Sequence, residues 1–212
     1  MGSMSPGAAP RRTQRQRTET TTRALIEAGR KLFAERGYEA TFLDHVAGAA
    51  GVTKGALYHH FTSKKELFAA VYEQEQQQMA RAVARAYARE DDSWTAFGAG
   101  CRAFLQASLD PGVQRITLLD APSVLGWDAM RRIEADHSLK QMQEGIAIAI
   151  REGMIAARPV EPLAHLLFGA TCEAAMMSAR ADRPRVAHAQ ALTELTSLLE
   201  SLGSKRGVIP NK

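Results

Sequence analysis

The chain has 212 residues, 45% of them apolar and 24% charged, with a net charge of +4. This is the composition of an ordinary globular protein long enough for one or two cores. With no run of 18 apolar residues and no signal-peptide pattern, a cytoplasmic location without a membrane partner is expected, and the two cysteines, Cys101 and Cys172, far apart and in no C-x-x-C spacing, build neither a zinc site nor a disulfide framework.

The charge is unevenly divided, with 11 Lys+Arg against 6 Asp+Glu in residues 1–66 and 16 against 17 in residues 67–212. The basic end begins with Met1-Gly2-Ser3 ahead of Met4, which reads as an expression remnant. Residues 1–17 are rich in Pro, Thr and Gln and carry Arg11, Arg12, Arg15 and Arg17. Such a segment cannot bury apolar surface and is expected to be a disordered basic arm. It is either a solvated tail or an arm that reaches phosphates or the minor groove of DNA.

Helical patterning follows. Leu25, Ala28, Leu32 and Phe33 form one apolar stripe in a first helix over 22–37, which stops at Gly37. Thr41 with Asp44 three residues on marks the start of a second helix, with Val46, Ala47 and Ala50 as its core positions. Gly51 suits the tight corner that follows, and Thr53 is placed to cap a third helix. Val52, Leu57 and Phe61 then point inward, leaving Lys54, Gly55, Ala56, Tyr58, His59 and His60 outward. One cation, two very small residues and three aromatic hydrogen-bonding groups fit a groove between phosphates, so the run is read as a helix-turn-helix. Ser63 with Glu66 is a capping box, and the fourth helix runs from Lys64 to about Arg89.

Residues 22–71, with their G-V-T-K-G-A-L-Y-H-H-F…K-x-x-L-F core, resemble the N-terminal domain of the TetR family of transcriptional regulators. The resemblance implies an all-α protein: a three-helix DNA-binding domain over 18–66, then a helical ligand-binding and dimerisation domain over 67–204, with a flexible tail over 205–212. It further implies a homodimeric repressor of a double-stranded operator, released by a small-molecule effector. Thr53, Lys54, Gly55 and Ala56 would lie at the major-groove floor and Tyr58, His59, His60 and Lys64 at phosphates, with Thr41 added to the DNA-contacting set.

Beyond residue 67 helices are expected at Asp92–Leu109, Pro111–Asp120, Pro122–Gly153 with a bend near Gly126 or Asp136, Glu161–Ala181 and Pro184–Leu202, separated by prolines. No alternating strand pattern and no internal repeat is present. The helix from Glu161 is apolar all round, so it is expected to be buried on every side. In the last helix Leu192, Leu195, Leu199 and Leu202 make a narrow seam. Together the two suit an intersubunit four-helix bundle, the other reading being a monomer core.

The effector cavity is sought in the middle of the chain. Trp94, Phe97, Cys101, Phe104 and Leu105 share one face; Trp127, Met130, Met142, Ile146, Phe168, Cys172, Met176 and Met177 are candidates to close it, though at any one of these positions plain core packing is the better explanation. Glu173, the one charge on its stretch of helix, needs a partner, either an arginine of a second subunit or a cationic or hydroxylated ligand. Asp120 and His137 are further polar candidates. Nothing in the spacing of Cys101, His137 and Asp120 makes a catalytic triad, and His45, His59 and His60 share no metal-binding face, so neither an enzyme nor a cofactor is expected. Two other functions stay open: a thiol-based redox regulator acting through Cys101 or Cys172, and a small-molecule binder that has lost DNA recognition.

Overall fold

A computed structural model describes residues 14–203. The chain is all-α: α1 (Gln14–Arg36), α2 (Leu43–Ala49), α3 (Lys54–His60), α4 (Lys64–Tyr87), α5 (Ser93–Ala107), α6 (Pro111–Val113), which runs into a π-helical segment (Gln114–Asp120), then α7 (Ala121–Val124), α8 (Trp127–Asp136), α9 (Ser138–Arg151), α10 (Val160–Arg180) and α11 (Pro184–Leu202). Among the described residues no helix is long and apolar enough to cross a membrane.

Two apolar cores share α4. The first gathers Leu25, Phe33, Val46, Leu57, Phe61, Leu67, Phe68 and Val71 from α1 to α4, and borrows Ile116, Ala121 and Leu125 from beyond α5. The second gathers Met79, Phe97, Phe104, Leu105, Ile146, Phe168, Leu195 and Leu199. One uninterrupted helix of 24 residues therefore lends its first half to one core and its second half to the other. At a rise of 1.5 Å per residue it is a rod of about 36 Å.

Local chemistry sets the ends of these helices. Gly51 turns the α2–α3 corner at φ 69°, a conformation that a β-carbon would strain. Thr53 Oγ1 accepts the Ala56 N–H, and Ser63 Oγ accepts the Glu66 N–H, as the cap signals predict. The reverse arm of the second cap reaches one residue further back than a capping box: Glu66 Oε2 accepts from both the N–H and the hydroxyl of Thr62.

Several expectations are corrected. The first helix extends back to Gln14, so Arg15 and Arg17 belong to α1 and not to an arm; Arg15 pairs with Glu19 one turn on. Arg11 and Arg12 lie outside the described residues. The 122–153 stretch breaks at both suspected bends: Gly126 sits at φ 80°, and His137 interrupts the chain between α8 and α9. The 111–120 segment is mostly π-helical, a local widening common at functional sites. The seam of α11 faces inward, with Leu195 and Leu199 in the chain's own second core. Finally, α10 is not buried all round, because Leu166 is 71% and Met177 48% exposed, and Ala170 and Glu173 are exposed between them.

Candidate DNA-binding surface and ligand cavity

The outward face of α3 is as the helical spacing predicts: Lys54, Gly55, Tyr58 and His59 are exposed, and Ala56 and His60 half-buried. A β-carbon on Gly55 would meet nothing within 4 Å, so no intramolecular packing demands glycine there. What the small side chain leaves is a low point on the surface where a groove floor can approach. Lys54 Nζ lies 3.0 Å from the Asp44 carboxylate of α2, and that hydrogen bond holds its ammonium above its ordinary pKa. The pair is exposed, so it orients the lysine more than it stabilises the fold.

Other members of the expected DNA set face inward. Thr41 is fully buried, its hydroxyl set to donate to the carbonyls of Gly37 at 2.8 Å or Leu32 at 3.2 Å. It fastens the α1–α2 turn, which corrects its placement as a DNA contact. Nor does it cap α2, whose N-cap is Phe42. Lys64 Nζ donates to the Tyr38 and Glu39 carbonyls at 2.9 and 3.3 Å and sits 4.2 Å from the Tyr38 ring centroid. Its ammonium is a tie between α4 and the α1–α2 turn, and a phosphate would have to compete with three internal partners. His60 Nδ1 lies 3.0 Å from Thr22 Oγ1 of α1.

Two further ties join this end to the rest of the chain. The Tyr38 N–H donates to Asp120 Oδ2, at the end of the π-helical segment, at 2.7 Å. The Arg30 guanidinium of α1 pairs with the buried Glu75 carboxylate of α4. Asp120, a candidate ligand contact from sequence, is thus part of the domain junction. His137, the other, lies 3.7 Å from Glu73 of α4.

A cavity of about 220 Å³ lies between α4, α5, α9 and α10. Phe97, Cys101, Phe104, Met142 and Phe168 line it as expected, together with Val83, Ala84 and Tyr87 of α4, which sequence reading had not assigned. The other candidates lie elsewhere. Leu105 and Ile146 are fully buried core, and Met130 packs on the first core. Trp127 is 68% exposed under the Arg131 guanidinium, at 4.1 Å from its ring. Cys172 and Met176 pack at the margin of the second core, and Glu173 is exposed rather than a buried carboxylate. Burial pushes both the Cys101 and the Cys172 thiols up to about 12, which keeps them protonated and poorly nucleophilic near neutral pH.

Behind the cavity runs a polar ladder that apolar periodicity gave no means of finding. Tyr72 OH of α4 donates to Glu134 Oε1 of α8 at 2.8 Å, Ser138 Oγ of α9 donates to Gln76 Oε1 at 3.0 Å, and Gln141 Nε2 donates to the Ala80 carbonyl at 3.1 Å. Tyr72, Gln76 and Ala80 are four apart, hence stacked along one face of α4. Ser138 and Gln141 also line the cavity. The only signal in the sequence was the pair of polar residues, Tyr72 and Gln76, on a face that otherwise reads as core.

At the top of the ladder Glu134 Oε2 faces Arg131 Nη1 at 3.0 Å, through charge more than through an aligned hydrogen bond. Burial raises the Glu134 carboxyl above its usual range, opposed by the Tyr72 hydroxyl and Arg131. A carboxyl whose folded pKa exceeds its unfolded one binds its proton more tightly when folded. Its contribution therefore favours folding at low pH and is lost as pH rises from about 4.3 through the raised folded value. Glu134→Gln, which does not ionise, is expected to gain in melting temperature relative to the wild type between pH 4 and pH 8. An equal difference at both pH values would contradict the burial argument.

Comparisons with known proteins agree with this two-part arrangement. The family model described as "Bacterial regulatory proteins, tetR family" matches residues 25–71, and that described as "Tetracyclin repressor-like, C-terminal domain" matches residues 94–202. The chain is similar to the transposon Tn10 TetC protein of Escherichia coli, 30% identical over 156 residues, covering 74% of this chain and 79% of that one. It also matches the HTH-type transcriptional regulator AcrR of Shigella flexneri, 37% identical over 62 residues, though this spans only 29% of either chain. A crystal structure of a TetR-family transcriptional regulator from Pectobacterium atrosepticum superposes with a TM-score of 0.79 at 38% identity, covering 92% of this chain and 99% of that one.

Proposed function

The chain belongs to the TetR family of transcriptional regulators, and from that premise we propose that it is a repressor which grips a palindromic operator as a homodimer and lets go when a small, mainly apolar effector fills the cavity. The observation that carries the reading is the double membership of α4. Its first half is packed into the core that presents α3, and its second half, through Val83, Ala84 and Tyr87, is a wall of the cavity. A body wedged against that wall displaces a rod whose other end is tied by Lys64 to the α1–α2 turn that leads into the helix-turn-helix. Two recognition helices then leave the spacing of roughly 34–36 Å that matches successive major grooves. By linkage the effector must prefer the DNA-free protein.

Dimerisation is supported by the exposed face of α10, where Leu166, Ala170 and Met177 recur at helical spacing around the single charge of Glu173 and face away from the chain's own core. Such a face is a poor surface for a monomer and a good one for a copy of itself. The redox alternative is disfavoured by the burial of Cys101 and by the raised pKa of both thiols, Cys172 being half-buried at the margin of the second core.

DNA recognition is testable without knowing the operator, by selecting binding sites from a random duplex library. On the selected site Lys54→Ala is expected to weaken binding by about 1–3 kcal/mol and to relax preference at one base position. Asp44→Ala, which only frees the lysine, should change affinity much less. Failure to enrich any palindrome would favour the reading as a ligand binder without DNA recognition, and an unchanged affinity in Lys54→Ala would remove that lysine from the groove.

A further inference from the structure

We propose that Phe42 extends the recognition surface beyond α3 and reads the 5-methyl group of a thymine at the backbone edge of the major groove, once in each half-site. This rests on the reading of the chain as an operator-binding dimer and adds a base-reading residue outside the recognition helix.

The observation that carries it is an aromatic ring that the fold does not use. Of the chain's seven phenylalanines, six are no more than 7% exposed, and Phe42 is 60% exposed. It also occupies the N-cap of α2, where its side chain makes no cap hydrogen bond. Serine, threonine, aspartate or asparagine is favoured at such a position, because a side-chain oxygen satisfies an N–H of the first turn. A phenylalanine there gives up the cap and leaves its ring in water. Neither the start of the helix nor the core accounts for it, whereas a partner that covers the ring does.

The surroundings of the ring identify that partner. It stands edge-on to His45 with the ring centroids 5.7 Å apart, and His45 Nδ1 lies 3.4 Å from Arg36 Nη1. Two residues after Phe42, Asp44 holds the Lys54 ammonium at the start of α3 at 3.0 Å. Arg36, Asp44, His45 and Lys54 are all exposed. The ring therefore sits at the end of α2 that is joined to the first turn of the recognition helix, on a surface that bears cations and continues the outward face of α3.

In a helix-turn-helix the first residues of the second helix meet base edges while the first helix crosses the backbone. A side chain at this end of α2 lies where the backbone borders the groove. Cations beside the ring suit phosphates, but the ring itself needs an apolar partner. The 5-methyl of thymine is the apolar group that the bases present in the major groove, and on the base it projects toward the backbone side of that groove. A hydroxyl or amide at residue 42 would bond to a phosphate, which is alike in every sequence. A phenyl ring has no such use, so its contact carries sequence information.

The test uses the full chain and the duplex selected from the random library. Each thymine of the half-site is replaced in turn, in both half-sites together, by uracil, which removes the methyl group and leaves base pairing unchanged. At one thymine or more the wild type should bind more weakly by on the order of fourfold per methyl, the worth of burying one such group, and so by about fifteenfold for the two half-sites. Phe42→Ala should lose affinity for the thymine duplex by about the same factor, and at one of those positions it should no longer distinguish thymine from uracil. Sensitivity at thymines read by α3 should remain. Phe42→Ser, which restores a capping oxygen to α2 and so favours folding, should show the same loss of discrimination, and thermal unfolding confirms that both variants are folded. A wild type indifferent to every replacement, variants that still discriminate at every position where the wild type does, or an unchanged operator affinity in Phe42→Ala overturns the assignment, the last leaving the ring to a protein partner. The two readings fail separately. A wild type that selects a palindrome and ignores uracil sinks the role of Phe42 alone, and a wild type that selects no sequence sinks the regulator as well.

Discussion

Leu166→Asp with Met177→Asp is expected to give a folded monomer that binds its palindrome on the order of 10²–10⁴-fold more weakly than the wild type, because a dimer gains its second half-site at a high effective concentration and a monomer does not. Both side chains are largely exposed in the single chain, 71% and 48%, so replacing them removes little of the chain's own packing. In a dimer they would lie at the centre of the contact, where four introduced carboxylates would be desolvated near their own symmetry mates. Sedimentation and a DNA shift assay on the same sample read the two effects, and thermal unfolding confirms that the variant is folded. Leu195→Asp makes the contrast. Leu195 is 6% exposed within the chain's own core, so that change should unfold the protein, at a cost of several kcal/mol, without informing on the dimer. A double variant that still sediments as the wild type moves the contact off α10, and a wild type that is monomeric at micromolar concentration removes the dimer from the proposal.

The contrast between Leu166 and Leu195 also shows what the sequence could and could not carry. The DNA-binding unit was legible because its signals are local. Gly51 at a corner, Thr53 and Ser63 at caps, and Leu57 with Phe61 four residues apart each act within one turn of helix. The seam of α11 was legible as an apolar stripe but not as to whose helix it meets, since periodicity reports that a face is covered and not by what. The cavity failed for a related reason. Cys101 and Leu105 are one helical turn apart on α5, yet one lines empty space and the other is solid core, a difference set by α4, α9 and α10 and not by α5. Gln141 was missed because a polar residue at the edge of an amphipathic helix looks like a solvated one. Thr41 misled in the opposite direction, for its composition suits a helix start while its hydroxyl is consumed by carbonyls of the preceding turn.

The ladder behind the cavity yields the last expected result: Gln76→Leu with Ser138→Ala should leave operator binding and effector binding each nearly intact and abolish most of the coupling between them. Removing both partners of a rung together leaves no orphaned group where the two met, which is why the pair is expected to cost little stability. What it removes is the rung in register with the cavity, since Ser138 lines that space and Gln76 sits on α4 between Tyr72 and Ala80. A ligand that presses on Ser138 and Gln141 acts on α4 through these bonds, and a bond between two discrete positions of a rod transmits more than a slippery apolar contact, which can repack in place. Coupling free energies of this kind run to about 1–3 kcal/mol, or roughly 5–150-fold in affinity. In the wild type, operator affinity should fall by a factor in that range when the cavity is saturated with a ligand shown by calorimetry to bind there, and by reciprocity ligand affinity should fall by the same factor on the operator complex. In the double variant both factors should approach one together. If the wild-type factor persists, displacement travels through the apolar wall of Val83, Ala84 and Tyr87 and the ladder is only structural.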